Sequence, residues 1–111
     1  MTAVSGAGLS RAIAVLGLVD VEMLALFHVS PDELARWKRS GVPAEHAAAV
    51  TAVDDVAKRL SVWLEADRLR SFVRQPRREF GGRPLLQVLA EEGPEPVHAE
   101  LDRLLASGLL P

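Results

Sequence analysis

The stretch Phe80-Gly81-Gly82-Arg83-Pro84-Leu85-Leu86-Gln87-Val88-Leu89 constrains this chain more than any other. Two successive glycines supply backbone angles that a side chain would forbid, and Pro84 has its φ set for the first turn of a helix. The order therefore predicts a tight loop that launches a short apolar helix. Gly93 ends that helix. Pro94 and Pro96 stand where the next can begin, and Val97, Leu101, Leu104 and Leu105 recur at helical spacing until Ser107-Gly108 stops them. Glu91 and Glu92 are adjacent, so they point in different directions on a helix and read as a solvated helix end, not as a carboxylate pair dividing acid and base roles.

A chain of 111 residues is one compact unit by length, or two small helical modules sharing a core, since it buries only about two thirds of its unfolded surface. It contains no Cys and three widely separated His. That excludes a disulfide framework and a zinc-thiolate site, and it fits a cytoplasmic protein with no metal and no cofactor. The longest apolar run, Ala12 to Val19, is broken by Gly17 and falls short of the roughly 18 residues of a membrane span. A net charge of -2 argues against strong non-specific nucleic-acid binding, which depends on Lys and Arg displacing counterions. Any DNA contact has to be local or dimer-assisted.

Taken in order, Gly6-Ala7-Gly8 lacks the preceding strand and third glycine of a dinucleotide fingerprint. Leu9, Ala12, Ile13 and Leu16 give one apolar face of a first helix ended by Gly17. Asp20 opens a second with Met23, Leu24 and Phe27, and His28-Val29 is a short turn. Ser30-Pro31-Asp32-Glu33 is a capping-box start with Pro at the first helical position, opening a third helix with Leu34 and Trp37 inward that stops near Ser40-Gly41. Val42-Pro43-Ala44 then starts a longer helix whose seam, Val50, Val53, Ala57, Leu60 and Leu64, packs either on the first helices or on a partner copy. Trp63 lies one residue off this seam, and core burial is expected for it ahead of exposure in an interface. Glu65 to Gln75 continues the helical pattern through Leu69, Phe72 and Val73 until Pro76 ends it. Arg77 and Arg78 make the following loop basic, either as solvated side chains or to meet phosphate or an acidic partner. No strand is predicted, so the fold class is all-α.

Helix, short turn and capped helix form the organisation of a helix-turn-helix, with Met23, Phe27, Val29, Leu34 and Trp37 at the positions that bury two crossing helices. His28 stands where glycine is usual in the turn, and Leu24 where a small residue is usual. On this reading the DNA-facing residues are Ser30, Asp32, Glu33, Arg36, Lys38 and Arg39. There is no Cys nucleophile, no G-x-S-x-G elbow and no phosphate-binding glycine loop, so an enzyme is not expected. What remains is a protein that works by its surfaces.

The ordered elements, an apolar pair at Phe72-Val73, a polar loop, Gly81-Gly82, Pro84, the leucine pair Leu85-Leu86, Gly93, then Val97 and Leu101 in a final helix, resemble the toxin-binding domain of the MbcA/ParS/Xre antitoxins. The family usually shows Trp-Leu where this chain has Phe72-Val73. The first half is similar to the Xre-like domain of the same family, including Leu34-Ala35-Arg36-Trp37 in its third helix. The two likenesses run from Leu9 to Leu109. They imply an Xre-like helix-turn-helix module over residues 1–61 and a toxin-binding module over residues 62–111.

The resemblance further implies the antitoxin of a type II toxin-antitoxin system, which neutralises a RES-domain, NAD-degrading toxin by covering its active site and represses its own operon. Its toxin-binding residues would be Phe72, Phe80, Gly81, Gly82, Arg83, Pro84, Leu85, Val97, Leu101, Leu109, Leu110 and Pro111, with Arg83, Arg77 and Arg78 reaching acidic groups on the toxin. The partners expected are that toxin, operator DNA, and a second copy in a homodimer or hetero-oligomer. The competing reading is a stand-alone Xre-type transcription regulator that dimerises through its C-terminal module. Asp32 and Glu33 at the leading edge of the third helix favour the antitoxin.

Overall fold

Apolar residues spaced by three and four along most of the chain fold it into helices, and the computed structural model describes residues 7–108 of it. Seven α-helices stand among the described residues: α1 (Ala7–Leu16), α2 (Asp20–Phe27), α3 (Pro31–Ser40), α4 (Ala47–Trp63), α5 (Ala66–Phe72), α6 (Leu85–Glu92) and α7 (Pro94–Ser107). Single 3-10 turns occupy Ala44–His46 and Arg78–Phe80. Among the described residues there is no strand, only an isolated antiparallel bridge between Arg77 and Arg83. The all-α class expected from the sequence is the fold observed.

The helix boundaries follow from local chemistry. Ser30 Oγ accepts from the Glu33 amide at 3.2 Å and Glu33 Oε1 accepts from the Ser30 amide at 3.3 Å, so the box that opens α3 satisfies two orphan donors reciprocally. Val19 has no side-chain oxygen, and before α2 only the returning half of such a box exists, Glu22 Oε1 accepting from the Val19 amide at 3.0 Å. His28 ends α2 in the left-handed region at φ 55, a conformation that costs an L-residue roughly 1–2 kcal/mol. It is held there by its Nε2–H, which donates to the Ala90 carbonyl at 3.0 Å across 62 residues of sequence.

α4 carries the core. Its seam residues Val50, Val53, Ala57, Leu60 and Leu64 are buried, with α1 packed along it and α7 against it. Of the two expected partners for this seam, the rest of the chain is the one that covers it. α2 packs on α3 and α6, and α6 on α7. Residue 61 lies within α4, and one buried apolar cluster contains residues from both sides of it, from Leu9 to Leu104.

Two expectations need correction. The helical pattern from Glu65 to Gln75 does not continue α4: Leu64 is extended (φ -127, ψ 137) and α5 is a separate short helix ending at Phe72. The break follows from burial, because Leu64 turns its side chain into the core. Trp63, expected in the core, is instead 47% exposed in the last turn of α4, since Leu64 takes the inward position beside it.

Trp37 is buried, with its ring centroid 5.6 Å from Phe27 and 4.9 Å from His46. Trp37→Ala leaves a cavity among three elements and should cost about 3–5 kcal/mol in urea-monitored unfolding; an unchanged midpoint would contradict this packing.

Among the described residues Asp54 is the buried charge of the core, and it receives Arg11 through two hydrogen bonds of 2.8 and 2.5 Å, with Lys58 at 3.5 Å. The Arg11 hydrogen bonds hold its carboxyl below the usual range; burial opposes them, and the charges of Arg11 and Lys58 add to them. A carboxyl depressed in the folded state stabilises fully above its unfolded pKa of about 4, and that contribution disappears as pH falls through the lower folded value. The melting temperature should therefore drop below about pH 4, and Asp54→Asn should be destabilised at pH 7 yet show a shallower acid slope. Equal slopes in the two proteins would refute the assignment.

Candidate functional site

The Gly-Gly-Arg-Pro loop is built before any partner arrives. Gly81 and Gly82 lie at φ 68 and 85, with no atom within 4 Å of where a Cβ would stand on either, so backbone angle and not space selects glycine there. The loop closes on itself through Arg77 N–H to Arg83 O (3.2 Å), Gly82 N–H to Arg77 O (2.9 Å) and Gly81 N–H to Arg78 O (3.0 Å). Pro84 precedes the first residue of α6 and its carbonyl accepts from Gln87 and Val88, so the proline serves as N-cap.

Arg83 clamps this loop to the far end of α6. Its Nε donates to the Phe80 carbonyl at 3.0 Å, and its two amino groups reach Glu91 at 2.9 Å and Glu92 at 2.6 Å. Glu92 and then Glu91 raise the guanidinium pKa, while Gln87 and Arg83 hold the Glu91 carboxyl below its ordinary range. This corrects two expectations. Glu91 and Glu92 are not simply solvated, because a forked cation outside the helix can bridge carboxylates that diverge from it. Arg83, expected to reach acids on a partner, already makes one contact within the chain through each of its three nitrogens.

Beneath the loop Phe72, Phe80, Leu85, Val97 and Leu101 are all buried. They pack beneath it in the free chain, and Phe72 also lines a groove on its flank. Phe72 is capped by the Arg77 guanidinium 4.2 Å from its ring centroid, and Arg77 Nε donates to Glu79 at 2.8 Å. Leu109, Leu110 and Pro111 lie outside the described residues. Of the expected contact residues, Gly81 and Gly82 are exposed, and Arg83 and Pro84 are half-buried.

On one side of the loop α2 and α6 leave a groove of about 760 Å³, lined by Ala25, Leu26, Pro84, Leu86 and Ala90 with Glu22, Arg74, His28, Gln87 and Glu91 around them. Arg74 is the keystone of this wall. It donates to Leu16 O (2.8 Å), Gly17 O (2.9 Å) and both oxygens of Glu22 (2.7 and 3.0 Å), while Arg70 donates to Ala14 O at 2.7 Å. Burial would raise the Glu22 carboxyl, but the Arg74 hydrogen bonds, the Val19 amide and the Arg74 charge outweigh it and lower the pKa. Sequence reasoning missed both arginines. Their signal was an i, i+4 cation pair available to a helix that ends at glycine with no basic residue in its own last turn.

The residues expected to face DNA lie on α3 and its cap. Ser30 and Glu33 are engaged in the capping box, Lys38 Nζ pairs with Asp20 at 2.7 Å, and Asp32, Arg36 and Arg39 are exposed. They lie on a different part of the chain from the loop. Among the described residues no cluster of three His, Asp or Glu could hold a metal, and no helix is long and apolar enough to cross a membrane.

A solved structure shares this arrangement. It is a chain of the crystal structure of the M. tuberculosis MbcT-MbcA toxin-antitoxin complex, matching with a TM-score of 0.75 at 24% identity over 96% of each chain. The chain has the fold of a component of that complex. No protein-family model and no curated protein matches it.

Because angle and not space governs Gly82, Gly82→Val should cost about 1–2 kcal/mol and Gly82→Asn distinctly less, asparagine tolerating the left-handed region. Unfolding midpoints in urea read the difference; equal midpoints for glycine and valine would contradict the loop geometry.

Proposed function

We propose that this protein is the antitoxin of a type II toxin-antitoxin pair and that it acts without catalysis in the cytoplasm. The observation that carries the reading is the end-to-end likeness in fold to a chain of the MbcT-MbcA toxin-antitoxin complex, joined to the ordered residues of the resemblance between Phe72 and Leu101. The toxin is of the RES type, degrades NAD, and is neutralised when the antitoxin covers its active site.

The exposed Gly81-Gly82 edge, Pro84 and the tail from Leu109 to Pro111 form the contact, with the buried Phe72, Phe80, Leu85, Val97 and Leu101 fixing their positions. A loop already closed by its own hydrogen bonds loses little ordering entropy on binding, which supports this choice of surface. Residues 1–61 supply an Xre-like, operator-facing module through which the complex represses its operon, and residues 62–111 supply the toxin-facing module. The support for operator contact is that Arg36 and Arg39 are exposed on α3 and form no ion pair among the described residues.

Co-expression with the toxin encoded in the adjacent reading frame tests the reading, with growth and cellular NAD as readouts and the operon's promoter fused to a reporter. The parent should restore both growth and NAD and silence the reporter. Gly82→Val and deletion of Leu109 to Pro111 should each weaken rescue at equal protein level. Full rescue by both variants would reject the surface, and no rescue by the parent would reject the function.

A further inference from the structure

A second groove, on the opposite flank of Phe72 from the core, has a different character from the one between α2 and α6. It has a volume of about 350 Å³ and is lined by Leu64, Arg68, Ser71, Phe72, Gln75 and Arg77. Arg68, Ser71 and Gln75 follow one another at intervals of three and four, so they share one face of α5 and the turn after it, and the extended Leu64 before the helix closes the end of the groove. The chain carries more acidic than basic side chains, yet no carboxylate lines this groove. In the α2–α6 groove, by contrast, Glu22 and Glu91 are already matched by Arg74 and Arg83.

The two arginines differ in what they have left to offer. Arg77 lies over the Phe72 ring and gives its Nε to Glu79. Arg68 is exposed and makes no ion pair among the described residues. Gln75 Nε2 donates to Ser71 Oγ at 2.9 Å, which fixes both polar side chains in the wall. Immediately before Leu64 in sequence, Val62 is 76% and Trp63 47% exposed, a pair of large apolar side chains left outside the core. Tryptophan and arginine are the residues most enriched where protein interfaces concentrate their binding energy, and a cationic rim steers an acidic partner during encounter.

We propose that this groove, with Arg68 as its free cation, docks a segment of the toxin in which an apolar side chain is flanked by carboxylates; the proposal rests on the antitoxin reading and adds the chemistry of the partner. The apolar side chain fills the space over Leu64 and Phe72, and the carboxylates meet Arg68 and the outer nitrogens of Arg77. A lysine-rich segment would be repelled from the same site.

The test measures association of the purified adjacent toxin with the full-length parent and three variants by stopped-flow or biosensor at 50 and 300 mM salt. Arg68→Glu should slow association at least tenfold at low salt and flatten its salt dependence, and Ser71→Asp should do the same from within the groove. Arg36→Glu, an identical charge change on α3, should leave the rate within twofold. Circular dichroism melts confirm that each variant is folded, since both groove positions are exposed. If the parent binds and Arg68→Glu and Ser71→Asp bind at the parent's rate, the groove assignment is overturned while the antitoxin reading stands. If Arg36→Glu slows binding as much as Arg68→Glu, the effect belongs to net charge and the assignment is again overturned. A parent that does not bind the toxin overturns both.

Discussion

The guanidinium of Arg74 ties α1, α2 and the end of the α5 segment together. α1 ends at Gly17 with carbonyls that no basic residue of its own last turn can satisfy, and Arg74 and Arg70 reach them across 56 to 58 residues of sequence. The same Arg74 binds Glu22, whose carboxylate also holds the first amide before α2. Hydrogen bonds with a charged partner contribute about 1.5–3 kcal/mol each, less where water competes. That is small beside the burial of the apolar cluster. The hydrophobic term has no direction, however, and tolerates sliding of one helix on another, whereas a planar fork engaged by the oxygens of Leu16, Gly17 and Glu22 does not. Packing supplies most of the stability of this fold, and Arg74 adds direction where α1, α2 and the α5 segment meet.

A consequence appears at the groove between α2 and α6. Its walls are held from both ends, by Arg74 on Glu22 and by the His28 bond to the Ala90 carbonyl, with Arg83 bracing α6 through Glu91 and Glu92. Of the arginines that flank the Gly-Gly loop, Arg83 gives all three nitrogens to its architecture and Arg77 its Nε. A cation still open to a partner is Arg68, one face further round.

Much of the backbone was legible in the sequence. Ser30, Pro31 and Glu33 mark the start of α3 because capping is a local reaction among four residues, and Gly17, Gly41 and Gly93 mark helix ends for the same kind of reason. Gly81-Gly82 likewise announced a loop at positive φ. What the sequence hid was everything that depends on which helix meets which. Trp63 reads as a core residue until the chain turns at Leu64 and leaves it outside. Arg83 reads as a free cation until α6 brings Glu91 and Glu92 to it, and nothing in the sequence tells that Phe72, Leu85, Val97 and Leu101 are buried in the chain alone. Apolar periodicity tells which face is buried, not whether it is buried within the chain or against another one.

A preformed loop and its basic flank, supported by a core that runs from Leu9 to Leu104, are the parts we propose to cover a toxin. Hydrogen–deuterium exchange of the chain alone and with the adjacent toxin measures this most directly, residue by residue. Slowed exchange on complex formation should concentrate between Leu64 and Gln87 and at the amides of Leu109 and Leu110, with protection at the exposed Gly81-Gly82 edge exceeding what the loop's own hydrogen bonds already give it. Slowing confined to α3, or exchange indifferent to the toxin across that segment, would contradict the assignment.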